Sequence, residues 1–153
     1  IGTQIGGALK NIYAIAAGVA EGLNLGENAK SALISRSFAE MTRYAKKFKA
    51  DKNTLFGLSG LGDLILTCSS KNSRNTQFGI KLASSKYDNF LDLLKSQEVT
   101  EGYYTVKAVY NISQKKNIDM PIMESVYNIL YKQHDLKEEL SNLLSRPITE
   151  EKI

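Results

Sequence analysis

The sequence predicts an all-α domain, and three observations support this fold class. Apolar residues recur at steps of three and four along most of the chain, period-two alternation is weak, and the glycines stand where helices would end. The chain has 153 residues, of which 42% are hydrophobic and 24% charged, as is usual for a globular protein with one sizeable core. We therefore predict a single helical domain over residues 1–153.

The first helix is predicted from a row of apolar residues that fall on one side of the helix. Gly22 and Gly26 provide the residue type that commonly ends a helix. A second helix is predicted over residues 28–49. The apolar row of the first helix consists of Ile5, Leu9, Ile12, Ala16, Val19 and Leu23.

The middle of the chain changes between glycine-rich and polar segments. Residues 57–64 hold three glycines ahead of a lone acid, and this spacing indicates tight packing or an unusual turn. Residues 67–75 are polar and predict a loop, after which a helical pattern resumes over residues 76–83. Further helices are predicted over residues 89–95, 102–115, 121–132 and 136–145.

Composition argues against several classes of protein. The excess of 20 basic over 16 acidic residues gives a net charge of +4, which is weak support for nucleic-acid binding and suits a small anionic ligand equally well. The single cysteine, Cys68, excludes an internal disulfide and a multi-cysteine metal site, as expected in a reducing cytoplasm. The one histidine, His134, is expected on the surface. No stretch predicts a membrane span or a secretory signal, and we expect no metal site.

Lys10 is the only charged side chain between Ile1 and Ala20, and the run 12–20 that follows it is apolar enough for a core. An ammonium group in such surroundings must stay solvated or find a partner, because desolvation disfavours its charged form. One interpretation is a helix lysine that extends its charge to the surface over apolar neighbours. The other is a general acid or base, or a cation that polarises a carbonyl.

Asp63, the lone acid in the glycine-rich segment, also has two interpretations. It can cap a helix that begins at Leu64, since aspartate favours such positions. Alternatively, it is a partly buried carboxylate that pairs with Lys10 and fixes the orientation of the ammonium group.

Two polar stretches complete the set of candidate site residues. Residues 73–75 read Ser-Arg-Asn, and the arginine offers a planar fork for a phosphate beside helix N-terminal amides. In isolation, an ordinary solvated loop explains the same residues. Residues 99–102 read Val-Thr-Glu-Gly and indicate a helix start, with Glu101 near the positive end of the helix dipole.

Four motifs, at residues 6–11, 57–64, 73–75 and 99–102, occur in an order and at a spacing that resemble a known family. They are similar to the C-terminal domain of bacterial NAD(P)-dependent sn-glycerol-3-phosphate dehydrogenases. The resemblance covers essentially the whole chain and departs at no matched motif position. It implies that Lys10 is the catalytic lysine and that the substrate is bound by Lys10, Asp63, Ser73, Arg74 and Asn75. The cofactor would be contacted by Arg74, Val99 and Glu101.

The resemblance also implies an activity and partners. The family interconverts dihydroxyacetone phosphate and sn-glycerol 3-phosphate with NAD or NADP, for glycerophospholipid synthesis. Its C-terminal domain is helical, of the type found in 6-phosphogluconate dehydrogenase. Its N-terminal Rossmann domain, which lies outside this chain, would be a partner, and the chain alone is expected to be inactive. A homodimer is a candidate assembly, and neither nucleic acid nor membrane insertion is expected.

The residues themselves leave two alternatives open. The same fold could act on another small hydroxy acid or phosphosugar, which the phosphate-binding residues would distinguish. Otherwise the chain could be a non-catalytic helical interaction module in which Lys10 and Asp63 are structural. A preference for NADH or NADPH is not predicted, because the residues that discriminate between them lie in a Rossmann domain.

Overall fold

The computed structural model describes residues 2–84 and 100–147, and the secondary structure in these two ranges is entirely helical. The all-α prediction is therefore confirmed for them, while the helix predicted over residues 89–95 lies outside the described residues. A π-helical turn spans Leu58–Gly62. The α-helices are α1 (Gly2–Gly22), α2 (Glu27–Lys47), α3 (Lys52–Phe56), α4 (Asp63–Ser69), α5 (Arg74–Ser84), α6 (Glu101–Lys116), α7 (Pro121–Tyr131) and α8 (Leu136–Leu144).

Helix α1 is the centre of the domain. Every residue from Ile12 to Ala20 is buried, and α1 packs against α2, α4, α5, α6 and α7. The predicted one-sided apolar row was too narrow, because Ala14 and Ala17, which lie off that row, are also fully buried. A helix that is apolar around its whole circumference is suited to a position inside a ring of other helices.

The closest helix packing joins α1 to α5 through two glycines. A Cβ atom on Gly18 would lie 2.0 Å from the carbonyl oxygen of Thr76, and one on Gly79 would lie 2.2 Å from that of Ile15. Neither position has room for a side chain, so the two backbones are in direct contact. This contact fixes the first turn of α5 beside the middle of α1.

A buried acid, Glu40 of α2, accepts hydrogen bonds from the first backbone N–H groups of α7. Its carboxylate accepts hydrogen bonds from the backbone N–H groups of Ile122, at 2.8 Å, and Met123, at 2.9 Å. These two donors have no partner within their own helix, because they belong to its first turn. The hydroxyl of Tyr13 also contacts Glu40, at 3.4 Å. Burial, followed by this carboxylate, raises the pKa of Tyr13 well above its usual value.

The polar segment over residues 67–75 was predicted as one loop, and this prediction was too long. Helix α4 continues to Ser69 and α5 begins at Arg74, so only residues 70–73 connect them. The connection is short because Ser73 caps α5, accepting a hydrogen bond from the Thr76 N–H at 3.3 Å. Arg74 and Asn75 therefore belong to the first turn of a helix and have fixed backbones.

Across the described ranges, none of the helices combines the length and the apolar character that crossing a bilayer requires.

Candidate functional site

A pocket of about 590 Å³ opens where the middle of α1 meets the ends of three other helices. Its wall is formed by α1, by the end of α4 with the connection to α5, and by the first turns of α5 and α6. Five of the predicted site residues line it: Lys10, Ser73, Arg74, Asn75 and Glu101. The remaining lining residues are Asn11, Leu66, Thr67, Ser70, Asn72, Thr100 and Tyr104.

Lys10 enters this pocket from α1 and is paired with Asp63. Its Nζ lies 2.5 Å from Asp63 Oδ2, and the two side chains are 27% and 34% exposed. Of the two interpretations given for Asp63, the structure shows the pair, although Asp63 also stands at the first position of α4. The π-helical turn directly precedes this position, and such turns occur often at functional sites. Among the residues that the structure describes, the ammonium group thus has one partner, and it keeps access to solvent.

The connection between α4 and α5 is held by its own hydrogen bonds. The Asn72 N–H donates to Ser70 Oγ at 3.2 Å, and the Ser73 N–H donates to the Ser70 carbonyl at 3.2 Å. Gln77, one turn into α5, donates from Nε2 to the carbonyl oxygen of Lys71 at 2.7 Å. The hydroxyls, amides and helix start that face the pocket are therefore ordered by these contacts.

Two hydrogen bonds connect the first turn of α6 to α5 and α1 beside the same pocket. Asn75 Oδ1 accepts from the Gly102 N–H at 3.1 Å, and Asn11 Nδ2 donates to Glu101 Oε2 at 3.4 Å. The first of these contacts joins two residues that are 27 positions apart in sequence, and the second joins two that are 90 positions apart. The structure thus brings Lys10, residues 73–75 and Glu101 together, while Val99 lies outside the described residues.

Five of the residues that line this pocket lie outside the four sequence motifs: Leu66, Thr67, Ser70, Asn72 and Tyr104. Ser70 and Asn72 lie in the segment predicted as a loop, where nothing separates them from their polar neighbours. Leu66 and Tyr104 fit a helical pattern and carry no signal of their own, yet they are 67% and 66% exposed in the structure. Large apolar side chains at the rim of a polar pocket offer surfaces to a bound ring or to another protein surface.

The charges around the pocket favour an anion on one side. Lys10 and Arg74 are cationic, and the hydroxyls and amides near them are ligands that phosphate accepts readily. Glu101 makes the α6 side unfavourable for a second anion and suitable for a hydroxyl donor. Within residues 2–84 and 100–147, no three His, Cys, Asp or Glu side chains group as metal ligands would.

The fold and the pocket define an all-helical domain with an open pocket that carries cationic side chains on one side. Residues 1–141 match the family model described as the C-terminus of NAD-dependent glycerol-3-phosphate dehydrogenase. The chain belongs to this family.

Individual relatives show the same similarity. The chain is 46% identical over 146 residues to glycerol-3-phosphate dehydrogenase (NAD(P)+) of Colwellia psychrerythraea, covering 95% of this chain and 43% of that protein. It is 47% identical over 151 residues to the enzyme of the same name from Solidesulfovibrio magneticus, covering 98% and 45%. The crystal structure of glycerol-3-phosphate dehydrogenase from Coxiella burnetii superposes with a TM-score of 0.86 at 39% identity, covering 95% of this chain and 44% of that one. The chain thus spans less than half the length of these relatives.

Proposed function

We propose that this chain is the substrate-binding and proton-transferring part of an enzyme that interconverts dihydroxyacetone phosphate and sn-glycerol 3-phosphate with NAD or NADP. The observation that carries the proposal is the pocket, in which Lys10, residues 73–75 and Glu101 meet from separate parts of the sequence. The names of the similar dehydrogenases support the same reaction. The product would serve as a precursor of glycerophospholipids.

The phosphate group of the substrate would bind at the start of α5. Arg74 provides two parallel N–H donors, and Ser73 and Asn75 flank it at the helix N-terminus, where the dipole favours an anion. Binding energy gained at the phosphate, away from the reacting carbon, would hold the carbonyl in place beside Lys10.

The proton would be carried by Lys10. When bound, the nicotinamide cofactor supplies the hydride that reduces the ketone carbon. The ammonium group of Lys10 donates a proton to the carbonyl oxygen, so that the ketone becomes an alcohol and the lysine is left neutral. Asp63, at 2.5 Å from Nζ, orients the lysine and contributes to substrate binding.

The residues on the α6 side fit part of a dinucleotide. The Glu101 carboxylate can accept a hydrogen bond from a ribose hydroxyl, and Arg74, which lines the same pocket, would also contact a phosphate of the cofactor. Val99 would add a further contact. An N-terminal Rossmann domain would provide the rest of the cofactor surface, in agreement with the greater length of the relatives. We further propose a cytoplasmic location and a homodimer, the first because Cys68 is a lone, reduced cysteine.

The proposal is tested by kinetics on the protein expressed with the coding sequence upstream of Ile1. We expect oxidation of NADH or NADPH that depends on dihydroxyacetone phosphate. Changing Arg74→Ala should raise the KM for this substrate by about 10- to 100-fold, because a charge-assisted pair is lost. Unphosphorylated dihydroxyacetone should be affected much less, and Lys46→Ala, which removes an exposed cation of α2, is the control. An equal loss for both ketones would favour a substrate that lacks the phosphate.

A further inference from the structure

The hydroxyl of Thr100 is unpaired within the part of the chain that the structure describes, although it is buried. Thr100 is 5% exposed, its Oγ1 atom has no hydrogen-bond partner, and the residue lines the pocket. A buried hydroxyl without a partner is costly, and most such groups in folded proteins are satisfied by protein, water or a ligand.

The reason for the missing partner lies in how α6 begins. Thr100 occupies the N-cap position of α6, where a threonine side chain ordinarily accepts a hydrogen bond from one of the first N–H groups of the helix. Here the Gly102 N–H is already bonded to Asn75 Oδ1, and the Tyr103 N–H is bonded to the carbonyl oxygen of Thr100 itself. Asn75 of α5 therefore takes over the capping function and leaves the Thr100 hydroxyl unused.

The surroundings of Thr100 indicate which part of a ligand would use this hydroxyl. The neighbouring Glu101 carboxylate is unfavourable for phosphate and favourable for an uncharged group that donates hydrogen bonds. The same pocket presents the exposed side chains of Leu66 and Tyr104, which offer apolar surfaces against which a ring can pack. A ribosyl nicotinamide has a ring, hydroxyls and an amide, whereas a three-carbon phosphate has no ring.

We infer that Thr100 is an additional binding residue of this pocket, and that its hydroxyl pairs with an uncharged polar group in the nicotinamide half of the cofactor. The inference rests on the proposed function, because it takes the dinucleotide as the ligand. A rotation about the Cα–Cβ bond of Thr100 is the movement that can bring the shielded hydroxyl to the ligand. The free protein thus keeps an unsatisfied group that cofactor binding satisfies.

The test compares three variants of the protein expressed with its upstream coding sequence. Thr100→Val removes the hydroxyl at nearly constant volume, and Thr100→Ser keeps it. Thr42→Val is the matched control, since the Thr42 hydroxyl is equally buried but is paired with the Phe38 carbonyl at 2.9 Å, on a helix that does not line the pocket. Melting temperature without ligand and NADH affinity by fluorescence titration are measured for each.

We expect Thr100→Val to melt at the same temperature as the wild type or higher, and to bind NADH about fivefold more weakly. Thr100→Ser should bind NADH as the wild type does. Thr42→Val should melt at a lower temperature and keep its NADH affinity. A lower melting temperature for Thr100→Val would show that the hydroxyl is paired inside the protein and would overturn the inference.

Two further outcomes separate this inference from the proposed function. If the wild type reduces dihydroxyacetone phosphate with NADH but Thr100→Val binds NADH equally well, only the role of Thr100 is overturned. If the wild type binds no dinucleotide, both proposals are overturned. Weaker binding of glycerol 3-phosphate, with unchanged NADH affinity, would assign the hydroxyl to the substrate and contradict the inference.

Discussion

Lys10 and Asp63 are 53 positions apart in sequence, yet their charged groups lie 2.5 Å from each other, and Lys10 lines the pocket. The lysine comes from the central helix and the aspartate from the first position of α4, directly after the π-helical turn. The pair is about one-third exposed, so solvent limits its contribution to stability. Its position therefore has more bearing on chemistry than on folding, and the first two predictions follow from this difference.

Replacing Lys10 with methionine should remove the proton donor while keeping most of the apolar stem. We expect kcat for dihydroxyacetone phosphate reduction to fall by about 10²- to 10⁴-fold, the usual contribution of a general acid. The KM should change far less, because Arg74 still holds the phosphate. Steady-state kinetics on the protein expressed with its upstream sequence measures both, with Lys46→Met as the control for loss of a helix lysine. Unchanged turnover would exclude Lys10 as the proton carrier.

Replacing Asp63 with asparagine should lower the activity and leave the stability nearly unchanged. The substitution keeps the shape and removes the charge that orients Lys10, so we expect a marked loss of turnover. The free energy of unfolding should change by less than about 1 kcal/mol, because a partly exposed ion pair contributes little. Urea denaturation and kinetics on the same preparation provide the two values. A loss of several kcal/mol with turnover retained would identify Asp63 as a structural residue.

The glycine contact between α1 and α5 predicts a large effect from one methyl group. Gly18→Ala should lower the free energy of unfolding by about 3 kcal/mol or more, because the new Cβ would lie 2.0 Å from a backbone oxygen, which cannot rotate away. Gly7→Ala is the matched control on the same helix, since nothing lies within 4 Å of its Cβ position. That change should stabilise the helix by about 0.5–1 kcal/mol. Similar effects at both positions in urea denaturation would contradict the described packing.

Cys68 should be inert while the protein is folded. It is fully buried, and burial raises the pKa of its thiol to about 12, with a smaller opposing effect from Lys30. We expect no alkylation by iodoacetamide at pH 8 and rapid alkylation in denaturant, because only the thiolate reacts. Mass spectrometry of the treated protein measures this directly, and labelling of the native protein would contradict the described burial.

The same raised pKa makes a prediction about alkaline pH. An unfolded cysteine loses its proton near pH 9, whereas the folded one keeps it to about pH 12. The contribution of Cys68 to stability is therefore complete below about pH 9 and is lost as the pH rises through this window. Tyr13 also titrates at higher pH in the folded state. The free energy of unfolding is therefore measured as a function of pH for both the wild type and Cys68→Ala, so that the effect of Cys68 is obtained by difference.

The sequence alone was sufficient for the helical class and for the bounds of α2, α5, α6, α7 and α8 to within a few residues. It also identified the charged residues that line the pocket, but it did not predict α3 or the π-helical turn. It was insufficient where long-range contacts decide the structure. Arg74 and Asn75 are helical because Ser73 caps α5, and the polar composition of this segment does not indicate where that cap falls. Glu40 looks like any helix acid in sequence, because its partners on α7 lie more than 80 positions away. The Thr100 hydroxyl makes no capping bond because Asn75, which lies in another segment, accepts the hydrogen bond from the Gly102 N–H.

The hydrogen bond between Asn75 and Gly102 has a consequence for ligand selectivity. An asparagine amide can both donate and accept, and the bond from the Gly102 N–H fixes the oxygen end of Asn75 on the α6 side. The Nδ2 nitrogen at the other end of the amide only donates, so a group that meets it must accept a hydrogen bond, as a phosphate oxygen does. The contact between two helices thus determines the orientation of an amide that lines the pocket.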